Sequence, residues 1–154
     1  MLGSGDRSTP LGIDTQDTFF MIKDEYINTQ SFSSSTTPTT PDTIEFDDLY
    51  DYTYNPFDLT QTVQARNELS ALVSKKSGWY INLTQSGEKN SATAIVINGV
   101  VYFTTFTPPE LDADEVSCEL PNGQGWLYAV DLALGTHVYN WQEENSKNRD
   151  DRIT

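Results

Sequence analysis

The sequence predicts a mainly β fold, and two strand pairs joined by specific turns are the main reason. In the first pair, Ala94–Ile97 and Val100–Phe106 are runs of β-branched and aromatic residues, separated by Asn98 and Gly99. An Asn-Gly dipeptide readily takes the positive φ angles of a type I′ turn, which makes it the strongest short-range signal for a hairpin. This segment is therefore predicted to be an antiparallel hairpin.

The second pair follows an acidic loop. Trp126–Asp131 predicts a third strand, a short turn closes on Gly135, and Thr136–Trp141 predicts a fourth strand. Two such pairs in this order make one four-stranded antiparallel unit of the kind that forms a β-propeller blade. The predicted fold class is mainly β: a partial β-propeller with one complete four-stranded blade, part of a second blade and one inserted helix.

A weaker repeat lies near the start of the chain. Asp17–Asp24 predicts a strand, and like Trp126–Asp131 it places bulky residues before a closing Asp. The two copies lie about one hundred residues apart, which is longer than a propeller period and indicates an insertion. Ser31–Asp42 is a low-complexity run rich in Ser, Thr and Pro. Residues 1–28 are therefore predicted to be a partial blade, and residues 29–57 a low-complexity, variable insertion.

One helix is predicted over residues 58–77. Asp58 offers an N-cap, and Gly78 ends the helix just after two lysines that suit the helix dipole. The apolar residues that fall on one side of this helix are Leu59, Val63, Leu69, Leu72 and Val73. Residues 78–142 are then predicted to be a propeller blade, and residues 143–154 a polar tail that enters a missing next blade.

The acidity of the chain limits the classes of partner that it can bind. The 154 residues include 23 acidic and 9 basic residues, which give a formal net charge of −14. Such a chain repels phosphates, so neither nucleic-acid binding nor attachment to anionic membranes is expected. No apolar run approaches the roughly 18 residues that span a bilayer, so direct membrane insertion is not expected. The first residues also lack the basic and apolar regions of a signal peptide.

Several segments taken together resemble one known family. They are GSGDRSTPL (3–11), DTFFMIKDE (17–25), DLYDYT (48–53), GWYINLTQSGEK (78–89), AIVINGVVYFTTFTP (94–108) and GQGWLYAVDLALG (123–135). In this order they are similar to the C-terminal β-propeller of PilC/PilY-type proteins, the tip-associated factors of type IV pili. The similarity extends over most of the chain, with residues 29–45 as a divergent insert.

The resemblance implies a non-enzymatic role in pilus biogenesis, in opposing pilus retraction and in adhesion. It implies pilus subunits or minor pilins, and host or abiotic surfaces, as partners. It also implies a location at the cell surface, the pilus tip or the outer membrane, and a longer, exported protein of which this chain is a fragment. No cofactor is expected in this chain. Members of the family can carry a calcium-binding, Asp-rich loop, which is expected upstream of Gly3 and therefore outside it.

Two other functions share parts of these patterns. The Asn-Gly turn and the LYA-x-D-x-x-x-G pattern also occur in propellers of quinoprotein-type dehydrogenases, and a scaffold propeller of outer-membrane assembly is a further candidate. The sequence shows no concentrated cluster of cofactor ligands, which disfavours the dehydrogenase. Both alternatives stay open at this point.

No catalytic or metal site is predicted. Asp112 and Asp114 fit the first positions of an EF-hand-like calcium loop, but the fifth and sixth positions do not fit it. His137 is the one histidine and lacks partners for zinc binding or catalysis. Cys118 is the one cysteine, so it is either a buried thiol or half of an external disulfide. The extracellular setting that the resemblance implies favours the disulfide.

The residues singled out by the sequence are structural. Large rings at alternate strand positions fill the space between neighbouring blades of a propeller, which is the expected role of Trp79, Tyr80, Trp126 and Tyr128. An adhesive role for exposed rings is the alternative. The predicted propeller motif consists of Asn98, Gly99, Tyr102, Trp126, Tyr128, Asp131 and Gly135. The insertion between Phe32 and Asp58 is the expected place for variable ligand contact, because loops on rigid β scaffolds carry recognition.

Overall fold

A computed structural model describes residues 1–5, 8–24, 43–57, 61–109, 122–139 and 153. Its strands are β1 (Leu2–Gly3), β2 (Thr18–Ile22), β3 (Leu49–Asp51), β4 (Gly78–Asn82), β5 (Ile95–Ile97), β6 (Val100–Thr107) and β7 (Gln124–Asp131). A 3-10 helix spans Phe46–Asp48, and helix α1 spans Val63–Ser74. The described part of the chain is therefore mainly β with one α-helix, as the sequence predicts.

The strands form two sheets. The first has the order β1-β2-β4-β3, in which β3 runs parallel to β4 and the other neighbours are antiparallel. The second has the order β5-β6-β7 and is antiparallel throughout. Strand β4 thus pairs with strands that precede it rather than with the hairpin that follows. Within the described residues the sheets close neither a barrel nor a propeller, so the partial propeller and its domain boundaries stay predictions.

Aromatic rings join the two sheets into one core. Side chains alternate along a strand, so Phe19 of β2 and Trp79 of β4 lie on the same face of the first sheet. Phe19 stacks on Phe103 of β6 with ring centroids 3.8 Å apart, and Phe103 stacks in turn on Tyr128 of β7 at 4.4 Å. The Trp79 indole N–H donates to the Leu132 carbonyl at 3.0 Å. Ring packing, rather than strand pairing, therefore holds the sheets together.

Three of the four strands predicted at the end of the chain are present as β5, β6 and β7. The fourth, predicted at Thr136–Trp141, is not formed over residues 136–139. There His137 makes a single bridge to Val130, which supplies too few hydrogen bonds for a strand. Residues 140 and 141 lie outside the described part of the chain. Ile153 makes a second isolated bridge to β7, at Tyr128.

The helix differs from its prediction at its start and on its apolar side. Helix α1 begins at Val63, and its N-cap is Thr62, whose hydroxyl accepts from the Ala65 N–H at 3.2 Å. Asp58 and Leu59, which the sequence assigned to the cap and the first turn, lie outside the described residues. Val63 is 75% exposed and Leu72 is 49% exposed, whereas Val73 is buried.

Of the four described residues predicted on the apolar side, Val73 and Leu69 contact the core, whereas the prediction was wrong for the exposed Val63 and Leu72. A lysine from outside the helix caps the carbonyl groups at the end of α1. The Lys23 ammonium group donates to the carbonyls of Ser74 and Lys76, at 3.3 and 3.0 Å.

Candidate functional site

The predicted hairpin turn is confirmed. Asn98 has φ 51° and Gly99 has φ 80°, and a type I′ turn requires positive φ at both positions. The Gly99 carbonyl also accepts from the Leu132 N–H at 2.8 Å. This contact ties the turn between β5 and β6 to the turn that follows β7.

That second turn is organised by Asp131. Its carboxylate accepts from the N–H groups of Ala133 and Leu134, at 2.9 and 2.8 Å, and its carbonyl accepts from the Gly135 N–H at 2.8 Å. Gly135 has φ 60°, and a Cβ atom at this position would lie 2.8 Å from the Tyr52 ring. Glycine is therefore needed at 135 both for its backbone conformation and for the close approach of Tyr52.

The remaining predicted motif residues lie at different depths in the second sheet. The Tyr102 hydroxyl hydrogen-bonds to that of Tyr139, and this bond raises the pKa of Tyr102. The Trp126 indole N–H donates to the Thr107 hydroxyl at 3.1 Å. Tyr128 is buried between the sheets. The structure thus gives each motif residue a local contact, and their shared role in a propeller motif stays a prediction.

A buried polar group was missed by the sequence reasoning. Glu88 is 1% exposed, and its Oε1 atom accepts hydrogen bonds from the hydroxyls of Thr105 on β6 and Tyr128 on β7. Its other carboxylate oxygen accepts from the Gln85 N–H at 3.3 Å. Burial of a carboxylate is costly unless donors surround it, so these contacts explain how Glu88 is accommodated.

The next two residues are also buried and polar. The Lys89 ammonium group donates to the Thr15 hydroxyl at 3.1 Å, and Asn90 donates to the Thr104 carbonyl at 2.8 Å. Gly3 packs so closely on Asn90 that a Cβ atom there would lie 2.1 Å from the amide oxygen. Residues 88–90 therefore connect the start of the chain to the second sheet. Glu88 and Lys89 end one of the segments that resemble the known family, and their charged side chains give no local signal of burial.

A shallow groove of about 240 Å³ lies beside this polar group. It is lined by residues 13–16 on one side and residues 83–87 on the other, most of which are polar. Thr15 lines the groove and also accepts from Lys89, so the groove and the buried lysine share one hydroxyl.

A second exposed feature lies on the first sheet. Phe20 of β2 and Tyr80 of β4 are register partners, and Phe46 packs edge-on against both, at centroid distances of 5.5 and 5.2 Å. We call Phe20, Phe46 and Tyr80 the aromatic face. Burial raises the pKa of the Tyr80 hydroxyl first, and the nearby carboxylates of Asp51 and Asp47 raise it further. Tyr80 therefore sits in a negative local potential.

Residues with catalytic or metal-binding chemistry are not brought together in the described residues, where no three His, Cys, Asp or Glu side chains converge. His137 lies at its single bridge to β7. Cys118, Asp112 and Asp114 lie outside the described part of the chain, so their predicted roles are not addressed by the structure. None of the described helices is long and apolar enough to cross a membrane.

The chain is similar to a curated bacterial protein. It is 29% identical over 137 residues to the protein named type IV pilus biogenesis factor PilY1 homolog in Xylella fastidiosa (strain Temecula1). The matched region covers 86% of this chain and 8% of that protein, so the chain spans less than a tenth of the relative's length. No family model matches the chain, and no solved structure matches it.

Proposed function

We propose that this chain is a non-enzymatic part of a type IV pilus biogenesis factor, in which it forms a rigid β scaffold for pilus assembly and surface adhesion. The observation that carries the proposal is the similarity to the pilus biogenesis factor of Xylella fastidiosa, which runs through 86% of the chain. Resembling segments also supply contacts that define the fold: Gly3 on Asn90, the Asn98-Gly99 turn, and Gly135 on Tyr52.

We also propose that the chain is part of a β-propeller, and the exposure of β5 supports this. Ile95, Val96 and Ile97 are 55%, 41% and 52% exposed, although all three are apolar and β5 is an edge strand of its sheet. Apolar residues on both faces are typical of strands that are covered on both sides, and folded proteins cover or blunt open apolar edges. The proposed cover is further β units of a longer polypeptide, packed on β5 as neighbouring blades pack.

The proposed partners are pilus subunits or minor pilins, together with host or abiotic surfaces. The proposed location is the cell surface, at the pilus tip or the outer membrane, where the scaffold controls pilus extension and retraction. The charge of −14 supports partners that present positive charge, because opposite charges steer association. Calcium binding is proposed only for a loop of the longer polypeptide outside this chain.

In-frame deletion of the gene segment that encodes residues 94–135 tests the proposal in the source bacterium. We expect the deletion strain to display few or no surface pili by electron microscopy and to lose twitching motility and attachment. Removing the retraction motor as well is expected to restore pili, because the proposed scaffold opposes retraction. A matched strain that carries Glu68→Gln, on the exposed surface of α1, should keep normal pili. Normal pilus numbers and attachment in the deletion strain would overturn the proposal.

A further inference from the structure

One row of side chains crosses the whole first sheet on the side away from the core. Leu2, Phe20, Tyr80 and Asp51 are successive register partners on β1, β2, β4 and β3. Register partners point to the same side of a sheet, and alternate residues point to the opposite side. Because Trp79 is buried in the core, this row faces outward.

Aromatic rings make the row into a surface of defined shape. Phe46 is 58% exposed and meets Phe20 and Tyr80 edge-on, with interplanar angles of 67° and 82°. Such edge-on contacts are favourable for aromatic pairs and hold the three rings in fixed orientations. Exposed Ile22 and Leu2 extend the apolar surface beside them. A contiguous apolar patch of this kind marks an interaction site more often than isolated surface residues do.

Negative charge borders these rings. The carboxylates of Asp51 and Asp47 raise the pKa of the Tyr80 hydroxyl, and that of Asp51 also accepts from the Thr53 N–H at 2.8 Å. Two lysines in this region donate to backbone carbonyls. Lys76 donates to the Asp47 carbonyl at 2.6 Å, and Lys23 donates to carbonyls at the end of α1. The rings and the two carboxylates therefore present an aromatic surface bordered by carboxylate groups.

We propose that the aromatic face, with Asp47 and Asp51, binds an arginine-bearing segment of a partner protein. A guanidinium group stacks on aromatic rings and forms bidentate hydrogen bonds with carboxylates, so it can contact the rings and the carboxylates of this surface at once. A wholly apolar partner would bury the charges of both carboxylates without supplying a positive charge, which is costly. An anionic membrane is repelled by the same charges. This inference is independent of the pilus role proposed above.

Titration of a capped hexaarginine peptide into the full chain, followed by NMR, tests the proposal. We expect the largest shift changes at Phe20, Phe46 and Tyr80. Phe46→Ala and Asp51→Asn should each weaken binding about two- to fivefold, the size of an exposed cation–π contact or rim ion pair. A hexalysine peptide should bind more weakly, because an ammonium group does not stack on rings as a guanidinium does.

Two variants separate a specific site from general attraction to an acidic chain. Phe106→Ala removes an exposed ring from the second sheet, and Glu68→Gln removes a charge from α1. Both should bind hexaarginine as the unmodified chain does. Melting temperatures close to that of the unmodified chain will show that Phe46→Ala and Asp51→Asn still fold. Equal weakening in all four variants, shift changes centred elsewhere, or no binding would each overturn the proposal.

Discussion

At the scale of single residues, buried polar side chains link separate segments of this molecule, in addition to the aromatic rings. Glu88, Lys89 and Asn90 follow one another, and each hydrogen-bonds to a residue on another segment. Buried polar groups are tolerated only when such partners exist, so each contact restricts where the other segment can lie. Loss of one partner leaves the other unpaired in the core.

Replacement of Glu88 by Ala tests this view. The change removes the shared acceptor of the Thr105 and Tyr128 hydroxyls, so we expect the free energy of unfolding to fall by about 2 to 3 kcal/mol. Urea denaturation measures this difference. Glu68→Ala is the matched control, because Glu68 is exposed on α1 and its loss should change stability by less than about 0.5 kcal/mol. Equal losses in the two variants would show that the Glu88 contacts do not stabilise the fold.

Some of these residue roles could be predicted and others could not. Asn98, Gly99 and Gly135 were predicted correctly as turn residues, because positive φ depends on local chemistry that the sequence displays. Glu88 is buried because the turn that carries it packs against β6 and β7, which follow it in the chain. No periodic pattern or motif in the sequence indicates this packing of the turn on the strands, so the buried polar group was missed.

At the scale of elements, strand positions were predicted better than the helix. Strands β2, β5, β6 and β7 all overlap predicted strands, because β-branched and aromatic runs between turn residues are a local signal. Asp58 and Thr62 are both good N-caps, and the sequence does not choose between them. The buried side of α1 is set by packing against the core, which the apolar pattern alone did not reveal.

Alanine substitutions at the two turn glycines, Gly99 and Gly135, should lower the stability of the protein by different amounts. Gly99→Ala should cost about 1 kcal/mol, because it adds left-handed strain while its Cβ meets nothing within 4 Å. Gly135→Ala adds contact with the Tyr52 ring to the same strain and should cost about 2 to 4 kcal/mol. Thermal or urea unfolding of the variants measures both effects.

Gly125→Ala is the control for these two variants. Gly125 lies in β7 without positive φ, and its Cβ would come no closer than 4.0 Å to another segment. We expect its stability to stay within about 0.5 kcal/mol of the unmodified chain. If Gly99→Ala and Gly135→Ala were no worse than Gly125→Ala, the turn geometry described above would be incorrect.

At the scale of the whole molecule, the two sheets of the described residues pack through a ring stack, and apolar surfaces of both sheets are exposed. These surfaces are β5, on both of its faces, and the aromatic face of the first sheet. From the sequence, Tyr80 was expected to fill the space between blades. The structure places it on the outer side of the sheet beside Phe46, which comes from a 3-10 helix that the sequence did not predict. A side chain supplied by such a helix cannot be assigned to a face without the tertiary fold.

The central claim is that this folded β scaffold acts in type IV pilus biogenesis. The most direct test is the number of surface pili per cell in strains that carry single substitutions in the chromosomal gene, counted by electron microscopy. We predict that Glu88→Ala and Gly135→Ala reduce pilus number, because both weaken the scaffold, whereas Glu68→Ala and Gly125→Ala leave it unchanged. Unchanged pilus numbers in Glu88→Ala and Gly135→Ala strains, despite a measured loss of stability in those proteins, would contradict the claim.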